Sequence, residues 1–132
     1  MVLCSGLIAG MRESHSDIVQ TLRELASLDV ASVPINFLNA IDGTPLEALS
    51  DLSPQDCLRT LCAARFALPR AELRVAGGRE VNLRSMQPLA MYAANSLFVS
   101  DYLTTEGQRP EDDYRMIEDL GFRIVEATPT CG

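Results

Sequence analysis

Apolar positions along this chain follow two periods in turn. Short apolar runs of the kind that make buried strands alternate with longer stretches in which apolar residues recur every three or four positions. Val2-Leu3-Cys4 ends a first predicted strand, and Ser5 to Gly10 follows as a glycine-bearing turn. Ser14 and Asp17 form an S-x-x-D start signal. Behind it Ile18, Val19, Leu22, Leu25 and Ala26 predict a helix reaching Leu28. Ser32 to Leu38 reads as a buried strand with Pro34 near its start, where a missing N–H is tolerable.

Asn39 to Leu49 is a predicted loop carrying the Asp42-Gly43 and Thr44-Pro45 turn signals. Ser53-Pro54-Gln55-Asp56 starts a helix to about Leu68, with a capping serine and proline in the first helical position. Glu72 to Val75 is the third strand and Gly77-Gly78 the loop after it. A third helix is predicted from about Asn82 to Ala94, with Pro88 inside it as a weak point. Ser96 to Val99 is the fourth strand. Pro110 to Asp113 opens a last helix with acids in its first turn, and Leu120-Gly121 closes it. Four strand–helix units in a row predict an α/β fold with parallel strands. A small doubly wound sheet and half of an eight-stranded barrel both fit this pattern.

Composition narrows the function classes more than the fold. The 132 residues are 47% hydrophobic and 22% charged, as in an ordinary globular domain. Eleven basic against eighteen acidic residues give a net charge of −7, with no Lys/Arg run, which argues against nucleic acid as a partner. The apolar opening lacks a basic n-region and is too short to span a bilayer, so a cytoplasmic protein with no membrane partner is expected. The four cysteines at positions 4, 57, 62 and 131 contain no CxxC pair, so neither a zinc knuckle nor a disulfide framework is predicted.

Several positions admit both a bland and a chemical reading. Cys4 is a buried strand cysteine or a ligand at a strand end. Gly6 and Gly10 make a tight turn or a close approach to a nucleotide-like group. Arg74 is an edge-strand arginine reaching solvent or a carboxylate such as Glu80, or an inward cation facing an anionic cofactor. Asn36 and Asn39 bond nearby backbone or a ligand. His15, Asp112 and Asp113 read as solvated, and Cys57 and Cys62 as core or groove residues.

The segments CSGLIAGMRES, SVPINFLNAIDGTPLE and LRVAGGREVNLRSMQPLAMYAANSLFVSDYLTT resemble, in order and spacing, the C-terminal portion of biotin synthases. The resemblance runs from about Val2 to about Leu120, leaving 121–132 unassigned. It implies the second half of a (β/α)8 TIM-type barrel and a reaction that inserts sulfur into dethiobiotin to make biotin. It further implies S-adenosylmethionine as radical source, a [4Fe-4S] cluster that cleaves it, and an auxiliary [2Fe-2S] cluster deep in the barrel. By the same resemblance Cys4 and Arg74 match ligands of the auxiliary cluster, Asn36 a residue near dethiobiotin, and Ile8 one near the adenosyl group.

The chain departs from the family pattern in three ways. It has no CxxxCxxC motif, and Cys57, Cys62 and Cys131 do not match the remaining cluster ligands. Arg12 stands where the family has glycine. The chain alone is therefore expected to be inactive and to hold no cluster stably. Its expected partner is an N-terminal half-barrel or a second copy of itself. A stand-alone, non-catalytic ligand-binding or interaction module is the second reading, and an unrelated open-sheet protein the third.

Overall fold

A computed structural model describes residues 3–49, 51–99 and 107–125. Its strands are β1 (Leu7–Ala9), β2 (Ser32–Phe37), β3 (Glu72–Val75) and β4 (Ser96–Leu97). They form one parallel four-stranded sheet in the order β1-β2-β3-β4, without the reversal that defines a doubly wound sheet. Helices α1 (His15–Ser27) and α2 (Pro54–Ala67) cross between strands. After β3 come α3 (Arg79–Leu83), a 3-10 turn (Arg84–Met86) and α4 (Gln87–Ala90), and after β4 comes α5 (Pro110–Asp119).

Strand alternation puts the whole core on one face of the sheet. Leu7 and Ala9, Val33, Ile35 and Phe37, and Leu73 and Val75 are buried against Leu22 and Leu25 of α1 and Cys57, Leu61 and Ala64 of α2. The alternating residues between them face the other way, and no helix contributes to a core on that side among the described residues.

Helix starts follow the local signals closely. The Ser14 and Ser53 side chains each accept a hydrogen bond from the N–H three residues on, and the Asp17 and Asp56 carboxylates in turn accept the serine N–H, closing two capping boxes. At the far end Gly121, at φ 75°, takes the left-handed position after α5.

Three expected elements differ. The first strand lies at Leu7–Ala9, while Cys4 makes only an isolated parallel bridge to Ser32; Val2 is outside the described residues. The Gly6 segment is extended and is not a turn. A Cβ at Gly6 would sit 2.0 Å from the Pro34 carbonyl oxygen, so glycine is what lets this strand lie against the proline. The third helix starts earlier, at Arg79, and breaks at Arg84, whose φ is 52°. Pro88 cannot donate inside a continuous helix, and the chain restarts with it in the first turn of α4. The fourth strand keeps only Ser96–Leu97 of its predicted length, although the Phe98 N–H still reaches the Val75 carbonyl at 2.9 Å.

Asp113 is the largest departure from expectation. It is fully buried at the start of α5 and paired with the equally buried Arg79. Gln108 donates to its second oxygen at 3.0 Å, and Arg79 also bonds Gln87 and approaches Glu80 at 3.2 Å. Burial pushes the Asp113 carboxyl above its usual range; the bond and charge of Arg79 pull it back, and Glu80 and Asp112 add to the rise. No helix of the described residues is long and apolar enough to cross a membrane.

Candidate functional site

The sheet face away from α1 and α2 carries the four residues that the family resemblance singled out, Cys4, Ile8, Asn36 and Arg74. Parallel register arranges them in three rungs. Cys4, Ser32 and Glu72 share the lowest rung. Pro34, Arg74 and Ser96 share the next, and Ile8 and Asn36 the one above. Consecutive rungs are two residues apart, so about 6–7 Å separates them. Cys4 and Ile8 are exposed, Asn36 and Arg74 half-buried.

This placement corrects the expectation for Cys4. It precedes β1 and sits toward the N-terminal end of the sheet, two strands from Arg74 and one rung below it. A cavity of about 860 Å³ opens along the β4 side of this face, with Glu72, Arg74, Ser96, Phe98 and Phe122 in its wall. Cys4, Ile8 and Asn36 do not line it.

Arg74 lies on β3, the second strand from the edge, and its carboxylate partner is Glu72, not Glu80. Nη2 donates to Glu72 Oε1 at 2.7 Å, and Nε donates to Ser96 Oγ at 3.2 Å. Desolvation pushes the Glu72 carboxyl up, but hydrogen bonds from Arg74 and Ser96 and the Arg74 charge outweigh it and leave the group below its usual range. Ser32 Oγ is close enough to Glu72 to help hold it ionised. Apart from that approach to Glu72, the buried Ser32 hydroxyl, on the same rung as Cys4, makes no hydrogen bond within standard distance among the described residues.

Asn36 combines both readings of its amide. Its Oδ1 accepts the Gly77 N–H at 2.9 Å, which fixes the amide plane and turns Nδ2 toward Leu7 O, a long 3.5 Å contact. The oxygen is committed to structure and the N–H donors are not fully used. Gly77 is itself held in place by Gly78, at φ 77°, where a Cβ would lie 1.9 Å from the Phe37 carbonyl oxygen.

The glycine segment after β1 is occupied from within. Glu13 accepts the N–H groups of Gly10 at 2.6 Å and Met11 at 2.7 Å. Arg12 follows at φ 68°, the left-handed region that favours glycine. His15 is exposed, as expected. Of the helix cysteines Cys57 is buried, and desolvation raises its thiol to about 12, whereas Cys62 is exposed on the outer side of α2. Cys131 lies outside the described residues.

Among the described residues no three His, Cys, Asp or Glu side chains gather as a metal site. Of the donors on this face only the exposed Cys4 thiol is of the type that holds an iron–sulfur cluster; the Ser32 hydroxyl lies on its rung, and the Arg74 guanidinium is already paired with Glu72. Sequence reasoning missed Glu72, Ser32 and Ser96. The i, i+2 spacing of Glu72 and Arg74 on one strand face was the available signal.

A profile of the biotin and thiamin synthesis associated domain matches residues 34–123. The chain is 58% identical over 130 residues to a biotin synthase from Geobacillus kaustophilus, covering 98% of this chain and 39% of that protein. It is 59% identical over 121 residues to the biotin synthase of Geobacillus thermodenitrificans, covering 92% of this chain and 36% of that one. The biotin synthase of Lysinibacillus sphaericus strain C3-41 is 57% identical over a further such 121-residue match, again 92% of this chain and 37% of the relative. The chain thus spans well under half the length of these relatives.

Proposed function

Since this chain belongs to the biotin and thiamin synthesis associated domain family, we propose that it serves as the C-terminal part of a biotin synthase that converts dethiobiotin to biotin. The carrying observation is that Ile8, Asn36 and Arg74, on three strands, and Cys4, in the segment before β1, share the sheet face away from α1 and α2. Sequential parallel strands with helices on one side are what the second half of a (β/α)8 barrel requires, and the open face then becomes the barrel interior.

When bound, the auxiliary [2Fe-2S] cluster supplies the sulfur, and S-adenosylmethionine at a [4Fe-4S] cluster supplies the radical. Within this chain Cys4 offers a thiolate ligand, and Arg74 faces the same cluster with Glu72 balancing its charge. Asn36, its oxygen pinned by Gly77, presents N–H donors to a substrate oxygen on the upper rung. Ile8, exposed beside it, offers an apolar contact to the adenosyl group. The ordering is chemically coherent, with sulfur-side residues low on the face and substrate-side residues above them.

One thiolate cannot hold two clusters, so turnover needs the segment that supplies the other ligands. The test is an anaerobic turnover assay after iron and sulfide reconstitution, with the chain alone and mixed with the remaining N-terminal portion of a relative. Biotin is expected from the mixture and not from the chain alone. Catalytic product from the chain alone overturns the proposal.

A further inference from the structure

Asp113 is the one buried residue of α5, and among the described residues no side chain of that helix belongs to the apolar core or packs against it. Met116, Ile117 and Leu120 are only half-buried, and Tyr114 is exposed. Cavities undercut the helix on two sides. One, of about 860 Å³, is walled by Tyr114 and Ile117, and one of about 300 Å³ lies between Pro88 and Met116. What holds α5 is a closed ring of polar side chains. Arg79 Nη1 donates to Gln87 Oε1, Gln87 Nε2 to Gln108 Oε1 at 3.2 Å, and Gln108 Nε2 to Asp113 Oδ1 at 3.0 Å. Arg79 Nη2 closes the ring on Asp113 Oδ2. From α3, Glu80 also accepts the Gln108 N–H at 3.1 Å.

We propose that α5 is a strap latched by this ring, and that it leaves the rest of the domain as a unit while the sheet stays folded. A buried ion pair fixes which groups meet but adds little net stability, because desolvating both charges offsets most of their attraction. A helix held that way opens at lower free energy than α1 and α2, which are anchored in the core. The charges in the latch are also unequal. The Asp113 and Glu80 carboxylates both face the single Arg79 guanidinium, Asp112 beside them is matched by Arg109, and Gln87 and Gln108 are neutral. Docking α5 therefore gathers more negative than positive charge. In keeping with that, burial holds the Asp113 carboxyl above its ordinary range against the pull of Arg79, with Glu80 and Asp112 adding to the rise. A raised carboxyl means that the docked helix binds the proton more tightly than the released one, so release is favoured as pH rises through its titration. Release takes Tyr114 and Ile117 out of the cavity wall and uncovers the flank of β4. The latch stands apart from the function proposed above.

The experiment is backbone hydrogen exchange, read by mass spectrometry on the full chain and on its Asp113→Asn and Glu80→Gln variants. In the unsubstituted chain α5 is expected to exchange faster than α1 and α2, through openings that leave those two helices protected. Asp113→Asn, which keeps the shape but not the charge, should speed α5 exchange by about tenfold or more and leave α1 and α2 unchanged. Glu80→Gln keeps an acceptor for the Gln108 N–H and removes the surplus charge, so it should slow α5 exchange. After correction for intrinsic exchange, the ratio of α5 to α2 rates should rise with pH in the unsubstituted chain and lose that rise in Asp113→Asn. Exchange of α5 in step with α1 and α2 overturns the proposal. So does a loss of protection shared by all three helices in Asp113→Asn, or faster α5 exchange in Glu80→Gln.

Discussion

Arg79 and Asp113, 34 residues apart in sequence, are paired at 2.5 Å with both side chains essentially excluded from solvent. The pair ties the start of α5 to the short helix after β3. Breaking a buried ion pair on one side strands the other charge, at a cost of about 3–5 kcal/mol. Glu80 and Gln87 remain beside Arg79, which points to the lower end of that range. Asp113→Ala should therefore lose about 3 kcal/mol in urea denaturation. A double variant with apolar residues at both positions should lose less. Equal losses in the two would show that the charge pairing is not what matters.

Arg12 occupies a left-handed backbone position at φ 68°. A residue with a Cβ is strained there by roughly 1–2 kcal/mol, offset in part by the extra unfolded-state entropy of glycine. Arg12→Gly should raise stability by up to about 1 kcal/mol, read as a higher denaturation midpoint at unchanged slope. A fall in stability would mean that the Arg12 side chain has a compensating contact.

The thiols should react unequally. Cys4 and Cys62 are exposed and should alkylate in the native chain, while Cys57 should label only on unfolding. Burial raises the Cys57 thiol from 9.0 to about 12, so its contribution to stability is complete below pH 9 and is lost as pH rises toward 12. Cys57→Ala should flatten that alkaline limb. Mass spectrometry after brief alkylation checks the first part and denaturation at high pH the second.

Exposed sheet edges predict association. Among the described residues β1 and β4 each pair on one side only, and Ile8 and Phe98 are 46% and 41% exposed on or near them. Such edges recruit further strands. Sedimentation at micromolar concentration should show self-association that the N-terminal portion of a biotin synthase relieves. A compact, cooperatively melting monomer would contradict the half-barrel account.

Features set by neighbours in sequence were legible in advance. The capping pairs Ser14/Asp17 and Ser53/Asp56 and the bounds of β3 depend on residues within a turn of one another. Where the chain folds back, pattern reading failed. Gly6 looked like a turn because its reason for being glycine is Pro34, a strand away. Asp113 looked solvated because Arg79 is far off in sequence. For Arg74 one reading offered a carboxylate such as Glu80, but strand alternation puts Glu72 on its own face. Cys4, Arg74 and Asn36 stood out as chemically capable groups in or at the ends of strands, but the choice between their bland and chemical readings, and Ile8 itself, came from the family resemblance.

The central claim is that Cys4 and Arg74 face one cluster from the open side of the sheet. The most direct measurement is iron content and visible absorption of the chain reconstituted anaerobically with its N-terminal complement, comparing Cys4→Ala with Cys62→Ala. The auxiliary cluster should be lost in Cys4→Ala and retained in Cys62→Ala, whose thiol is on the outer surface of α2. Full cluster retention in Cys4→Ala would contradict the account.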